Sequence, residues 1–184
     1  MRKGARRNDW TVAEEQFLIA NAGRIPKRDI CEMLRRSSES VRQKAKALRR
    51  RGADVCLRYY RPTMEPCPSC GNLSATIDRS GMCEPCRRRD QLAAIEARIA
   101  DLLPLLTPEQ LDTYERTEAK RESRADPIPE PPATDGLARW QQACREEAHA
   151  KAVEATVAAN LRRAVKAAQK RKERIEKKVK SMNL

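Results

Sequence analysis

At 184 residues with 3% aromatic and 35% charged side chains, the chain has too few large apolar residues for one extended core. One or two small modules with exposed helix are expected instead. The formal net charge of +13 favours a polyanionic partner, and the lack of any apolar run of membrane-spanning length, or of an opening signal segment, argues against a membrane protein. The charge is uneven: 17 Lys/Arg face 7 Asp/Glu in residues 1–61, 9 face 13 in 62–134, and 13 face 6 in 135–184. Basic ends around an acidic middle suggest a polyanion at each end and a protein partner between. Four of the seven cysteines fall in CxxC pairs, which points to metal rather than disulfides and to a reducing, cytoplasmic, nucleoid-associated setting.

Residues 1–9 form a basic arm with Arg2, Lys3, Arg6 and Arg7 and no apolar pattern. Such an arm suits the electronegative minor groove of DNA, with Arg6 and Arg7 as contacts, or serves only as a solubilising tail.

Residues 10–52 read as three short helices. Thr11 followed by Glu14 is a capping box, in which hydroxyl and carboxylate satisfy free backbone N–H groups at a helix start. The helix carries Phe17, Leu18 and Ala22 and ends near Gly23. Pro26 suits the first turn of a second helix, where its missing N–H costs nothing; that helix shows Ile30, Met33 and Leu34 on one side. Ser37 can cap the third helix. There Val41, Ala45 and Leu48, at i, i+4 and i+7, form a buried stripe. Glu39, Gln43, Lys46 and Arg50 fall opposite, with Arg42 on the flank and Ser38 in the first turn. Arg and Lys donate to guanine O6 and N7, Gln pairs with adenine, and further cations meet phosphates, so this face has the chemistry for a DNA major groove. The plainer alternative is a solvated face on an ordinary three-helix bundle.

The order W-T-x-x-E-E-x-x-L, I-C-E-M-L-R-R-S and S-V-R-Q-K-A-K-A-L, from Trp10 to Arg51, resembles the Myb/SANT-like, homeodomain-type helix-turn-helix. Trp10, Glu14, Leu18, Ile30, Leu34, Val41, Ala45 and Leu48 carry the resemblance. Arg35–Arg36 departs from it, since the family often has Gly in that turn. The resemblance implies a DNA-binding domain of the kind frequent in bacterial and phage regulators, with the third helix reading double-stranded DNA.

Residues 53–66, with no clear period and two prolines, read as an extended linker in which Tyr59 and Tyr60 pack on a module or touch DNA. Within 67–89, Cys67-Pro-Ser-Cys70 and Cys83-Glu-Pro-Cys86 each place two thiolates in one tight turn, and two such turns complete a tetrahedral shell. Leu73, Ala75 and Ile77 alternate between them, so a short hairpin carrying both turns, a zinc ribbon, is expected, with Zn2+ held by Cys67, Cys70, Cys83 and Cys86. Four cysteines close the shell and leave no position for a catalytic water. Such a metal substitutes for a core too small to hold a fold.

From Asp90, Leu92, Ile95, Ile99, Leu102 and Leu106 recur at three and four, the pattern of a helix–helix seam broken by Pro104. Thr107-Pro108-Glu109-Gln110 restarts a helix. Residues 90–125 are therefore a helical hairpin that packs on itself, or a surface through which, together with the C-terminal helix, the chain meets a protein partner or a second copy. Residues 126–134 are a Pro-rich linker. Residues 135–184 read as one long basic helix with Trp140, Cys144, Val153, Val157, Leu161, Val165, Ala168, Ile175 and Val179 as a thin apolar stripe; it binds nucleic acid or merely carries a packing seam.

The fold class is thus mainly α. Nothing supports an enzyme: His149 is the sole histidine, and there is no phosphate loop. A sequence-specific DNA-binding regulator leads. An accessory factor docking on a larger DNA enzyme, such as a recombinase or RNA polymerase, comes second; an RNA-binding protein comes third, for want of an aromatic stacking platform.

Overall fold

The computed structural model describes residues 9–120 and 125–182. Arg6 and Arg7, with the rest of the arm before Asp9, lie outside the described residues. The protein is mainly α: α1 (Val12–Asn21), α2 (Lys27–Leu34), α3 (Ser38–Arg50), β1 (Glu65–Pro66), β2 (Leu73–Ser74), α4 (Glu84–Leu102), a 3-10 turn (Leu103–Leu105), α5 (Pro108–Ala119) and α6 (Arg139–Met182). It divides into two compact units. The first holds the described residues up to Pro62 and Pro132–Glu147; the second holds Thr63–Pro131 and the chain from Ala148. The first turns of α6 belong to the former and the remainder to the latter.

In the first unit the local signals at α1 and α3 act as the sequence suggests. Thr11 Oγ1 accepts the Glu14 N–H at 3.2 Å while the Glu14 carboxylate accepts the Thr11 N–H at 2.9 Å, so α1 starts on a reciprocal cap. Ser37 Oγ accepts the Ser40 N–H at 3.2 Å and starts α3. Leu18, Ala22, Ile30, Leu34, Val41, Ala45, Leu48 and Val55 form one buried core, edged by Trp10, Phe17 and Ile25.

Three details differ from expectation. Pro26 is the N-cap of α2 rather than a residue of its first turn; its fixed φ suits that flanking position equally well. Met33 is 63% exposed, because at 100° per residue it lies off the arc occupied by Ile30 and Leu34. Residues 53–62 are more than a linker: Val55 is fully packed in the core and Ala53 and Leu57 lean on it.

The turn between α2 and α3 is closed without glycine. Arg35 takes the left-handed conformation, φ 50° and ψ 41°, while its N–H reaches the Glu32 carbonyl at 3.1 Å and the Arg36 N–H reaches that of Cys31 at 3.0 Å. This is the crossed pair of bonds that ends a helix on a left-handed residue. Arg36 then folds back beneath α1. Its Nε and Nη2 meet the two Glu14 oxygens at 3.2 and 3.0 Å, Nη2 also reaches the Asp9 carbonyl at 2.6 Å, and the guanidinium lies 5.2 Å from the Trp10 ring centre. Both side chains are nearly buried, so the pair is a bidentate, largely desolvated one. Arg36, together with the Thr11 N–H, holds the Glu14 carboxyl down to about 2.

Residues 132–147 complete this unit. Arg139 Nη1 donates to the Ile19 and Ala22 carbonyls at 2.8 and 2.9 Å, and to that of Ala20 at 3.3 Å. The cation therefore satisfies orphan carbonyls at the end of α1 and meets the negative end of its dipole. Gly23, at φ +79°, permits this approach, since a Cβ there would stand 3.3 Å from Arg139 Cβ and 3.1 Å from the Cys56 carbonyl oxygen. Arg58 stacks 3.9 Å over the Trp140 ring. Cys144 is exposed rather than part of the apolar stripe, and the neighbouring turns are held by polar contacts, Gln142 to the Leu137 carbonyl and Arg145 to that of Ala133.

The second unit has a small apolar core of Ile99 and Leu102 from α4 with Ile175 from α6, joined by Ile95, Leu103, Leu106, Tyr114 and Val179. The three-four seam of α4 is thus covered within the chain by α5 and α6. Thr107 and Gln110 form a second reciprocal cap at α5. Arg171 of α6 ties the bundle through Glu118 at 2.6 Å and Glu96 at 4.0 Å. The Pro-rich stretch is pinned to α6: Asn160 exchanges two 2.9 Å bonds with the backbone of Asp126, Arg163 pairs with the Asp126 carboxylate, and His149 Nε2 lies 3.0 Å from the Pro129 carbonyl oxygen.

Candidate metal centre and the exposed face of the third helix

Cys67, Cys70, Cys83 and Cys86 converge in the second unit, with every Sγ within 4.8 Å of the others. Each pair is shaped by its own backbone. In the first, β1 pairs antiparallel with β2 (Glu65 opposite Ser74, Pro66 opposite Leu73), the Cys67 N–H donates to the Asn72 carbonyl at 2.8 Å, and the Gly71 N–H donates to that of Cys67 at 2.7 Å. Gly71 supplies the positive φ of 74° that turns the chain back.

The second pair differs from the expected hairpin turn. Cys83 is the N-cap of α4 and Cys86 lies in its first turn, so the helix begins at Glu84, not at Asp90, and Arg87, Arg88 and Arg89 lie on it. Pro85 explains the earlier start, because a proline in the first turn forgoes only an N–H that has no helical partner. Two thiols at a helix N-terminus face its positive dipole end, which favours the thiolate that a metal needs. Asp78 sets the approach: its carboxylate accepts the Ser80 and Met82 N–H groups at 2.9 and 3.1 Å and pairs with Arg87 at 3.2 Å.

The hairpin faces are also the reverse of the apolar alternation. Ser74 is buried and Leu73 is 47% exposed. The sulfurs fill the small interior, and Ser74 is accepted there because its hydroxyl bonds the Glu154 carboxylate, whose other oxygen takes the Ala75 N–H at 3.0 Å. A second tie from α6 holds the helix start: Arg162 grips both oxygens of Glu84 at 2.7 and 2.9 Å, keeping that carboxyl below its usual range. Glu154 and Arg162 lie 80 and 78 residues beyond their partners Ser74 and Glu84, and neither CxxC spacing nor helical period points to them.

The four sulfurs suit a tetrahedral metal. A shell with metal–sulfur bonds of about 2.3 Å has sulfurs roughly 3.8 Å apart, and Cys70 Sγ lies 3.8 Å from Cys83 Sγ. Bare, the thiols disagree about ionising. Burial would raise Cys67, but the N–H groups of Cys83, Cys70 and Ser69 bring it down to about 6. The Asn72 N–H favours the Cys70 thiolate, yet burial and the Cys86 and Cys67 sulfurs leave it above its ordinary value. Burial pushes Cys83 up to about 12. A cation at the centre reverses that balance by stabilising all four thiolates, and its binding releases protons. Cys31, Cys56 and Cys144 are free thiols outside this cluster.

In the first unit, α3 buries Val41, Ala45 and Leu48 and leaves Ser38, Glu39, Arg42, Gln43, Lys46 and Arg50 exposed. Glu39 holds its neighbours, with Arg42 at 3.2 Å and Gln43 Nε2 donating to its Oε1 at 3.3 Å. Such exposed contacts are weak and readily exchanged for others. Lys44, by contrast, turns inward to Glu15 at 2.5 Å and lies 5.6 Å from the Trp10 ring centre.

No protein-family model, curated protein or solved structure matches this chain. No helix among the described residues is long and apolar enough to cross a membrane.

Proposed function

We propose that the protein is a sequence-specific DNA-binding regulator of the bacterial and phage type, with a Myb/SANT-like helix-turn-helix as its reading head and a structural zinc at its four-cysteine centre. The observation that carries this reading is the division of α3 into a buried stripe and an exposed face of Ser38, Glu39, Arg42, Gln43, Lys46 and Arg50. A helix anchored along Val41, Ala45 and Leu48 offers that face rigidly, and its donors and acceptors match those on base edges in the major groove. Zinc suits the four thiols because it favours a closed tetrahedral sulfur shell and needs no further ligand. The zinc centre has a structural part only.

Binding of the full chain to one selected duplex and one scrambled duplex, at several salt concentrations, tests the reading. Arg42→Ala or Gln43→Ala should cost about 1–3 kcal/mol on the selected duplex and relax selectivity at one or two base pairs. Arg50, further along α3, should meet phosphate, so Arg50→Ala should weaken both duplexes alike and reduce the slope of log affinity against log salt by about one unit. If Arg42→Ala and Gln43→Ala lower both affinities by the same factor, α3 is an electrostatic contact and the reading fails.

A further inference from the structure

We infer that α6 carries, in the second unit, a phosphate-binding ridge centred on Lys166, Lys170 and Lys177, and that its partner is the backbone of duplex DNA. The buried side of this helix is fixed by Val165, Ala168 and Ile175. At about 100° per residue, Lys166, Lys170 and Lys177 fall within roughly 40° of one another on the opposite side, and all three are exposed. Arg174 and Lys180 flank them.

The cations of α6 have two different employments. Arg162, Arg163 and Arg171 are committed to Glu84, Asp126 and Glu118 and help to hold the unit together. The three ridge lysines make no ion pair among the described residues. They span about 16 Å of helix, a length over which duplex DNA carries on the order of ten phosphate charges. Lys166 and Lys170 also stand, with Arg162, on the α6 wall of an open groove of about 530 Å³; Arg88 faces them from α4, Ile95 and Val165 line the floor, and Glu173 is the one carboxylate in the lining.

Other polyanions fit less well. Insertion into an anionic membrane needs an apolar side, and that of α6 is already covered by Ile99 and Leu102. A single strand needs aromatic rings for its bases, and the ridge has none. An acidic protein needs an apolar anchor beside the charge; Ile95 and Val165 provide one only in the groove beside Lys166 and Lys170, and the neighbours of Lys177 on this face, Glu173, Arg174 and Lys180, are all charged. That the duplex is DNA rather than RNA rests on the reading of α3 given above.

The test is the full chain carrying Lys166→Gln, Lys170→Gln and Lys177→Gln together, with binding followed on selected and scrambled DNA duplexes, a duplex RNA, and vesicles containing phosphatidylserine. At about 0.9 units per lost contact, the salt slope on both DNA duplexes should fall by two to three units. Affinity should fall by the same factor on both, roughly tenfold, with selectivity between them kept. Circular dichroism and metal content should stay as in the parent, because these side chains touch neither the seam nor the thiols. Lys→Arg at the three positions should restore slope and affinity, since only charge is required. An unchanged slope with intact helix content would overturn the proposal. So would tighter binding of the parent chain to duplex RNA, or a triple variant whose only defect is on vesicles. Should the α3 variants leave selectivity untouched while the triple variant still loses slope on DNA, the α3 reading fails and the ridge stands.

Discussion

The three-helix module and the four-cysteine module are both small, yet they are held by different physics. Helices α1 to α3 bury Leu18, Ile30, Val41 and Leu48 among eight core residues. Around the thiols the interior is sulfur, with only Cys70 and Met82 packed against three buried cysteines. One module has an apolar core that excludes water; the other is organised about four thiols close enough together to share one metal ion. The lesson is that a short, strongly charged chain can shape a second element around four clustered thiols without further large apolar residues; with the zinc proposed above, that element would depend on an ion.

Removing the metal separates the two most sharply. Chelation, or Cys83→Ser, should unfold residues 63–86 and release the Glu154 and Arg162 ties, because binding free energies of roughly 10 kcal/mol or more are then missing from folding. Helices α1 to α3 should keep their amide protection. Hydrogen exchange with and without chelator reads both halves together; equal loss of protection in residues 12–50 would erase the distinction drawn here.

The reciprocal change comes next. Leu18 is fully buried, and Leu18→Ala should cost about 2–5 kcal/mol through lost transfer energy and a cavity. The α1–α3 transition should move to lower denaturant while the protein still binds one equivalent of metal per chain. A loss of metal in this variant would show that the two elements fold together.

Acid provides a third separation, with a defined direction. Arg36 and the Thr11 N–H lower the Glu14 carboxyl from about 4.5 to about 2 in the folded protein. Its contribution is therefore complete above about 4.5 and is lost as pH falls through about 2. Between those values the melting temperature of α1–α3 should decline, and less steeply in Glu14→Gln than in the parent. An identical pH dependence in the two proteins would mean that the carboxylate has no linkage to folding. The four-cysteine module should fail earlier on acidification, since protons compete with the metal for thiolates.

What the sequence made legible was local. Thr11 with Glu14, Ser37, and Thr107 with Gln110 start helices where their side chains reach N–H groups three residues on, and the stripe of Val41, Ala45 and Leu48 follows from helical period alone. CxxC spacing likewise located all four thiols. Illegible were contacts between residues far apart in the chain. Arg139 ends α1, more than a hundred residues earlier; Glu154 bonds Ser74 and so reverses the faces of the hairpin; Arg162 steadies Glu84 between the second pair of thiols. Each is a polar side chain meeting a backbone or carboxylate group, and no period or spacing encodes its partner. Residues 53–62 and 126–134 looked like linkers because neither forms a regular element of its own: Ala53, Val55 and Leu57 pack on the core of α1 to α3, and Asp126 and Pro129 bond to α6. The exposed face of α3 was legible by the same helical period, while the lysine ridge on α6 needed the structure to tell arginines held in ion pairs from lysines that are not.

The smallest expected effect bears on the turn that sets α3 against α2. Arg35 is the one non-glycine residue at positive φ among the described residues, and a left-handed backbone costs an L-residue with a Cβ about 1–2 kcal/mol. Glycine carries no such cost but gains freedom in the unfolded chain, which offsets part of the benefit. Arg35→Gly should therefore stabilise α1–α3 by roughly 0.5–1 kcal/mol, keeping the bonds from residues 35 and 36 to the carbonyls of Glu32 and Cys31. Arg36→Gly offers the contrast, since it removes the cation shared by Glu14, the Asp9 carbonyl and the Trp10 ring and should destabilise the same helices. Urea midpoints of the two variants against the parent decide the matter. A midpoint that falls in Arg35→Gly would show that the arginine side chain contributes more to this turn than its backbone strain removes.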